Sequence, residues 1–369
     1  MRRWNHAIHS WLGLGCALFI IAAGLTGAAL VFEEEIDALR RPEVFTVTPA
    51  AGAARLPADA WVEAVRTAYP GWQADAIILP PADHPRRAVM VRTSAPGRLF
   101  HQVYVDPYTA RVLGSEPYHW RWWVVQIHYA LHLGDWGRVL LFIAGVAMAL
   151  LSLTGLWMQR GIWLAWLRPW QWHRGPRLGW SGLHRALGVP LLTFNIVLGI
   201  TGCFYNWNGL VRLWEGKPRP PGFGFLIRQY DVPPLPWQEY LTRAQAALPG
   251  LEPAWISPPR HGSGRVSILG RTAGAEFYGA YANSVTLDAA TGAPLSIRDV
   301  RTLPWTEKWE AWIDPLHFGN FGGFWIKLAY CLGSLGISVA AASGAAIWWL
   351  RRRAHRTPQA TGPRVPIQT

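Results

Sequence analysis

Residues 11–32 (WLGLGCALFIIAAGLTGAALVF) carry no charge and are mostly apolar. About 20 apolar residues are enough for a helix to cross a hydrocarbon core roughly 30 Å thick. Arg2 and Arg3 precede this run, as in a signal peptide, but the run is too long for a signal peptide and no small-x-small cleavage site stands before EEEID. We therefore expect a retained membrane-spanning helix at the start of the chain.

Three later segments have the same character and predict three further spans. They are VLLFIAGVAMALLSLTGLWM at 139–158, LGVPLLTFNIVLGITGCFYNW at 187–207 and LAYCLGSLGISVAAASGAAIWWL at 328–350. The composition, 51% hydrophobic over 369 residues, would also suit a large soluble domain, but the apolar residues are concentrated in these runs. None of the four runs contains Asp or Glu, which disfavours a metal transporter because such proteins carry ionisable residues within the membrane.

The net charge of +13 is explained by membrane topology. Lys and Arg are enriched in cytoplasmic loops, and the basic residues here flank the spans on one side of the predicted membrane. That side is predicted to be cytoplasmic, with both termini on it. No nucleic-acid-binding motif accompanies the charge, so no nucleic-acid partner is expected. The flanking residues are Arg2, Arg3, Arg160, Arg168, Arg174, Arg177, Arg351, Arg352, Arg353 and Arg356.

Spans one and three repeat each other at a constant offset of 175 residues. Spans two and four are related as well, since LHLGDWG at 131–137 resembles LHFGNFG at 316–322. The chain is thus predicted to contain two copies of a unit made of a helix, an outside module and a second helix. In spans one and three, His9, Leu12, Gly13, Gly24, Thr26 and Gly27 correspond to His184, Leu187, Gly188, Gly199, Thr201 and Gly202.

Each outside segment is predicted to form one helix followed by antiparallel strands. Residues 58–72 are amphipathic and end at Pro-Gly, and strand-like segments follow with a turn at Asp106. The second copy has WQEYLTRAQAALPGL, RVSILGR and a turn at Asp288, preceded by a proline-rich linker at 216–225. The predicted boundaries are 1–10 (cytoplasmic N-terminus), 11–32 (span one), 33–125 (module one), 126–158 (span two), 159–181 (cytoplasmic loop), 182–207 (span three), 208–313 (module two), 314–350 (span four) and 351–369 (cytoplasmic tail).

These motifs resemble the PepSY-associated transmembrane family. VYVDPYTARVLG is similar to part of a PepSY domain, and IHSWLG, IHYALHLGDWG, LHRALG and PLHFGNFGG are similar to the family's spans. The resemblance covers about residues 3–352. It implies an α-helical membrane protein with four transmembrane helices in two tandem repeats and two small α+β PepSY-like periplasmic modules. It also implies a bacterial inner membrane and a link to iron uptake, since the family includes ferric-siderophore reductases that carry b-type haem.

Histidines at the ends of the spans are the candidate cofactor ligands. The predicted topology places His9 and His184 at the cytoplasmic edge, and His128, His132 and His317 at the periplasmic edge. Each edge therefore has histidines from different helices, which is what a haem held by two imidazoles requires. We expect two b-type haems, bound non-covalently because the chain has no CxxCH motif.

The ligand in span two is left open by the sequence. His132 corresponds to His317 by the internal repeat, whereas the resemblance favours His128 by its spacing to Gly134 and Gly137. The two histidines are four residues apart and would share a helical face, so one could bind the iron and the other lie beside it. We slightly prefer His128.

Glycines and arginines complete the predicted haem sites. Gly13 and Gly188 each follow a histidine by four residues, so they lie on the ligand's own helical face and leave room for a porphyrin, or else allow close helix packing. Arginine can pair with a haem propionate through two hydrogen bonds. The candidates for this role are Arg121, Arg138 and Arg185.

The expected activity is one-electron transfer across the membrane to a periplasmic acceptor. The family resemblance implies that this acceptor is ferric iron in a siderophore, reduced to Fe(II). The chain has no GxGxxG or other nucleotide segment, so the electrons are expected from an unidentified donor on the cytoplasmic side or from the quinol pool. The alternative is a non-redox, membrane-anchored protein whose PepSY-like modules bind or regulate a peptide partner.

Overall fold

The computed structural model describes residues 2–94, 101–117, 120–158, 171–219 and 230–356. Arg160, Arg168 and residues 220–225 of the predicted linker lie outside this range, as does most of the predicted C-terminal tail. The chain divides into two compact units. The helical unit comprises Met1–Leu25, Leu140–Cys203 and Leu332–Thr369, and the sheet unit comprises Thr26–Val139 and Phe204–Cys331.

Helices and strands follow each other in two similar series. The helices are α1 (Arg2–Val31), α2 (Glu33–Arg40), α3 (Pro42–Phe45), α4 (Ala58–Ala68), α5 (Trp120–Ala130), α6 (Asp135–Met158), α7 (Pro176–Gly188), α8 (Leu192–Trp214), α9 (Trp237–Ala247), α10 (Trp305–Ala311), α11 (Ile313–Phe318) and α12 (Gly323–Arg356). The strands are β1 (Gln73–Ile78), β2 (Val89–Ser94), β3 (His101–Val105), β4 (Val112–Pro117), β5 (Leu251–Ser257), β6 (Arg265–Thr272), β7 (Asn283–Asp288) and β8 (Pro294–Arg298).

The long apolar helices make this a helical membrane protein. Among the described residues, α1, α6 and α12 are each long and apolar enough to cross a bilayer. Helices α7 and α8 meet this criterion only together, and they are bent by 69° at the short break between them. The described part of the chain therefore contains three candidate spans, or four if the bent pair is one span.

Three of the predicted spans are interrupted, where the sequence predicted continuous segments at 126–158, 182–207 and 314–350. Pro190 lies in the break between α7 and α8, where it lacks the N–H that a continuous helix needs. Leu131 and His132 have φ values of 50° and 57° between α5 and α6, and Gly319 has a φ of 65° after α11. Helical hydrogen bonding cannot continue through such left-handed residues.

The two segments predicted to lie outside the membrane form one continuous antiparallel sheet rather than two separate sheets. The strand order is β4-β3-β2-β1-β5-β6-β7-β8, so the first module contributes one half and the second module the other. The halves meet where β1 pairs with β5, with Ile77 opposite Ile256 and Ile78 opposite Trp255. Ile77 and Ile256 are fully buried, so the junction lies in the hydrophobic core.

Helices α4 and α9 pack on this sheet in equivalent ways. Trp61 of α4 donates a hydrogen bond from Nε1 to the Pro107 carbonyl, and Tyr240 of α9 donates from its hydroxyl to the Ala289 carbonyl. Each bond joins a helix to the turn between the last two strands of its own module. Both side chains are buried in the core of the sheet unit, so the two helices are attached to the sheet through equivalent contacts.

The helices of the helical unit approach each other through small residues. A Cβ on Gly145 would lie 2.8 Å from the Gly199 carbonyl oxygen, and a Cβ on Gly24 would lie 2.8 Å from the Ser334 carbonyl oxygen. Such contacts exclude any larger residue and are typical of helix packing in membranes. Cys16, Ile20, Ala144, Ala147 and Ile337 form the buried core around them.

Candidate functional site

His9 of α1 and His184 of α7 face each other within the helical unit. Their ring centroids are 6.1 Å apart and the ring planes make an angle of 88°. His9 Nδ1 lies 2.9 Å from Oγ1 of Thr154. His184 Nδ1 lies 2.9 Å from the Ala340 carbonyl oxygen and 3.0 Å from Oγ of Ser343. In both rings, hydrogen bonds occupy Nδ1, and Nε2 is the nitrogen left to bind a ligand.

A second pair, His128 of α5 and His317 of α11, lies within the sheet unit. The ring centroids are 6.0 Å apart and the planes make an angle of 64°. His128 Nδ1 lies 3.0 Å from Oγ1 of Thr26. The ring of Tyr205 packs 5.0 Å from that of His317, and its hydroxyl donates a hydrogen bond to Asp314, which is exposed.

The spacing within both pairs suits one metal ion held between two imidazoles. Such a metal would separate the ring centroids by roughly 6 Å, because each metal–nitrogen bond is about 2.0 Å and each nitrogen lies about 1 Å from the centre of its ring. The observed separations are 6.1 and 6.0 Å. The two pairs thus have the same spacing although they come from different helices.

The ring of His128 lies against that of His317, which favours His128 over His132 as the candidate ligand in span two. His132 lies after the end of α5 in a left-handed conformation, with its ring 5.7 Å from that of Trp123. The two histidines therefore do not share a helical face, which the sequence prediction had assumed for a continuous span.

Comparison with known protein families gives a match that spans almost the entire chain. Residues 6–351 match the family described as the PepSY-associated TM region. The chain belongs to the PepSY-associated transmembrane family. Both histidine pairs lie within the matched range.

A protein of Pseudomonas aeruginosa, described as uncharacterized protein PA4219, is similar to part of this PepSY-associated transmembrane protein. The two are 31% identical over 114 residues, which make up 30% of this chain and 29% of the relative. The matched segment therefore spans under a third of that relative's length.

The three arginines that the sequence suggested as propionate partners have different surroundings in this family member. Arg121 forms an ion pair with Glu33. Arg138 is buried in a polar cluster, where it bonds to Asp135, Asn206 and the Tyr205 carbonyl oxygen.

Arg185 differs from both, because its buried Nε has no hydrogen-bond partner among the described residues. It follows His184 directly in α7. A buried guanidinium nitrogen without an acceptor is costly, so Arg185 is the arginine best suited to meet a bound anionic group.

Three glycines on other helices contact histidine rings, and sequence reasoning placed none of them there: they are Gly27 at His128, Gly155 at His9 and Gly344 at His184. A Cβ on Gly155 would lie 3.6 Å from Cε1 of His9, and one on Gly344 would lie 3.4 Å from Cε1 of His184. The predicted Gly13 instead faces Leu151, and a Cβ on Gly188 would meet nothing within 4 Å.

Each of these glycines directly follows the hydroxyl residue that bonds the same histidine. The signal that could have found them is therefore a repeated Ser/Thr-Gly dipeptide. It occurs as Thr26-Gly27, Thr154-Gly155 and Ser343-Gly344, and Thr201-Gly202 occupies in the second copy the place that Thr26-Gly27 has in the first.

Proposed function

We propose that this protein is a di-haem b-type inner-membrane oxidoreductase that passes single electrons to a periplasmic acceptor. The observation that carries the proposal is the presence of two histidine pairs, each contributed by two different helices and each spaced for one metal ion. A protein that merely anchored binding modules would have no need for opposed histidines. The non-redox alternative therefore leaves both pairs unexplained.

The proposal includes the four-span, two-repeat topology, with the bent pair α7 and α8 as the third span. The positive-inside rule then places both termini in the cytoplasm and the sheet in the periplasm. By chain order, His9 and His184 belong to the cytoplasmic ends of their spans, and His128 and His317 to the periplasmic ends. One haem near each face would follow from this arrangement.

The side chains around the first pair fit a haem. Arg185 has a buried nitrogen without an acceptor, which a propionate would supply. Gly155 and Gly344 let the imidazoles lie close to neighbouring helices. When bound, a b-type haem supplies an iron that gains and loses one electron at a time.

At the second pair, the fit rests on the ring spacing and on the Thr26 hydroxyl at His128 Nδ1. Gly27, next to Thr26, lets the His128 ring lie close to α1, since a Cβ there would be 3.1 Å from the ring. His128 and His317 would thus bind the periplasmic haem.

The acceptor we favour is ferric iron held by a siderophore. One electron converts Fe(III) to Fe(II) and one electron leaves the donor, so the reaction is balanced without a further co-reactant. Siderophores bind iron through hard oxygen ligands, which hold Fe(II) less strongly than Fe(III), so reduction releases the metal. The donor is proposed to be a cytoplasmic reductase or a membrane quinol.

Reconstitution in liposomes tests this function. A reductant sealed inside, with a ferric trihydroxamate chelate and an Fe(II)-specific chromophore outside, should give Fe(II) only when the haem-loaded protein is present. Protein-free liposomes and liposomes containing the His317→Ala variant are the controls. If the purified protein carries two reducible haems but makes no more Fe(II) than empty liposomes, the siderophore-reductase proposal is wrong. Purified protein without haem would favour the non-redox alternative.

A further inference from the structure

The hydroxyl groups of Thr154 and Ser343 each have a definite hydrogen-bonding role towards a histidine. Oγ1 of Thr154 lies 2.8 Å from the Leu150 carbonyl oxygen and 3.1 Å from that of Leu151. A hydroxyl has one proton, and these carbonyl oxygens can only accept, so Thr154 donates its proton to its own helix. With its proton donated there, Thr154 acts towards His9 as an acceptor, and this assigns the hydrogen of the His9 ring to Nδ1.

His184 is constrained in the same way by two groups. The Ala340 carbonyl oxygen, 2.9 Å from Nδ1, can only accept. Oγ of Ser343 donates to the same carbonyl at 2.7 Å, so it too accepts from His184. Both rings of this pair are thus held as the tautomer with hydrogen on Nδ1. Their Nε2 lone pairs are then available to a metal.

The glycine that follows each hydroxyl residue completes the arrangement. It lets the ring edge lie against the helix that carries the hydroxyl, at 3.6 Å for His9 and 3.4 Å for His184 from the place of a Cβ. The hydroxyl and the glycine act on neighbouring atoms, Nδ1 and Cε1, of the same ring. Together they fix its tautomer and its orientation.

We infer that Thr154 and Ser343 are positioning residues for the metal-binding imidazoles of His9 and His184. The inference rests on the proposed function. Each hydroxyl accepts a hydrogen bond from Nδ1–H, which makes the imidazole a stronger electron donor through Nε2. An iron bound there would be stabilised as Fe(III), so the two hydroxyls would lower the reduction potential of this haem and strengthen its binding.

The variants Thr154→Val and Thr154→Ser test the inference. Val has the shape of Thr without the hydroxyl, whereas Ser keeps the hydroxyl. In an optical redox titration of the purified protein, Thr154→Val should raise the midpoint potential of one haem and leave the other unchanged, and Thr154→Ser should restore the wild-type value. Loss of one haem to apomyoglobin should be about 10–100-fold easier in the Val variant, as is usual when a partner of a metal ligand is removed.

Ser343→Ala gives a second, independent comparison. His184 retains the Ala340 carbonyl in this variant, and the rise in potential should have the same sign as for Thr154→Val. Ser152→Ala is the matched control. Ser152 lies on the same helix as Thr154 and donates to its own backbone at Met148, but its other partner is Asn195 rather than a histidine. Its removal should leave both potentials unchanged.

The outcomes separate this inference from the proposed function. If the wild-type protein carries two haems and neither Thr154→Val nor Ser343→Ala changes a potential or haem retention, the positioning role is refuted and the haem proposal stands. If Ser152→Ala shifts the potential as much as Thr154→Val does, the effect comes from helix packing and the inference is again refuted. A wild-type protein without haem defeats the proposed function itself.

Discussion

The glycines beside the histidines differ in how much space they leave. A Cβ on Gly27 would lie 3.1 Å from Cε1 of His128, whereas one on Gly155 would lie 3.6 Å from Cε1 of His9. The first distance forces the ring to move by a few tenths of an ångström, and the second is ordinary van der Waals contact. Metal ligation depends on ring position, so this small difference should be measurable.

The Gly27→Ala variant should disturb its haem more than Gly155→Ala does. The added methyl group displaces the His128 ring, so we expect partial loss of one haem or a changed low-spin signal in electron paramagnetic resonance. Gly155→Ala, the matched control, should keep both haems with near-normal spectra. Equal behaviour of the two variants would show that the rings tolerate more movement than this geometry implies.

Removal of the Arg185 side chain should weaken the retention of a single haem. Arg185→Gln takes away the charge that would pair with a propionate, so that haem should be lost more readily in detergent. Arg121→Gln is the control, because Arg121 is already paired with Glu33. Unchanged haem retention in Arg185→Gln would contradict the pairing of Arg185 with a propionate.

At the scale of elements, the sequence predicted the apolar runs but not their interruptions. The break before α8 could have been anticipated, since Pro190 stands where the first copy has Gly15 and where α1 continues unbroken. The break after α5 could not, because Leu131 and His132 adopt left-handed conformations, which are uncommon for residues other than glycine. Tertiary packing decides such positions.

The interruption after α5 also explains why sequence reasoning left the span-two histidine open. The motif repeat relates His132 to His317 by 185 residues, yet the Thr154-Gly155 and Ser343-Gly344 dipeptides are 189 residues apart, the offset that relates His128 to His317. The second copy therefore has more residues than the first between the motif and the dipeptide, so the two features align the copies differently. The contact between His128 and His317 in the structure agrees with the alignment given by the dipeptides.

The pairing of β1 with β5 is the element-scale feature that the sequence did not reveal, since local patterns cannot specify which edge strands meet. Ile77→Ala at this junction should destabilise the sheet by about 2–5 kcal/mol through loss of buried contacts. Ile297→Ala on the edge strand β8, where the side chain is 48% exposed, should cost roughly 0.5 kcal/mol or less. Thermal unfolding in detergent compares the two, and similar midpoints would contradict a shared core at β1 and β5.

At the scale of the whole molecule, the two predicted repeats contribute in different ways to the sheet and to the histidine pairs. In the sheet, each copy contributes four adjacent strands to one continuous surface. In the histidine pairs, each predicted copy contributes one histidine, since His9 and His128 come from the first copy and His184 and His317 from the second. Neither pair is complete within one repeat, so both copies are needed for each proposed haem.

The proposed topology places the sheet and the loop around Arg174 on opposite sides of the membrane. Ser263→Cys and Arg174→Cys are both at exposed positions, one in the sheet unit and one in the helical unit. In spheroplasts, a membrane-impermeant maleimide should label Ser263→Cys, whereas Arg174→Cys should react only after lysis. The wild-type chain, with its three native cysteines, sets the background. The reverse labelling pattern would show that the topology is the opposite of the proposed one.

Haem stoichiometry across single histidine variants tests the central claim most directly. The purified wild-type protein should contain two b-type haems per chain, with reduced-minus-oxidised bands for both. His9→Ala and His184→Ala should each lose or alter the same haem, His128→Ala and His317→Ala should each lose or alter the other, and His132→Ala should keep both. A different grouping, such as His132→Ala and His317→Ala affecting one haem while His128→Ala affects none, would contradict the account.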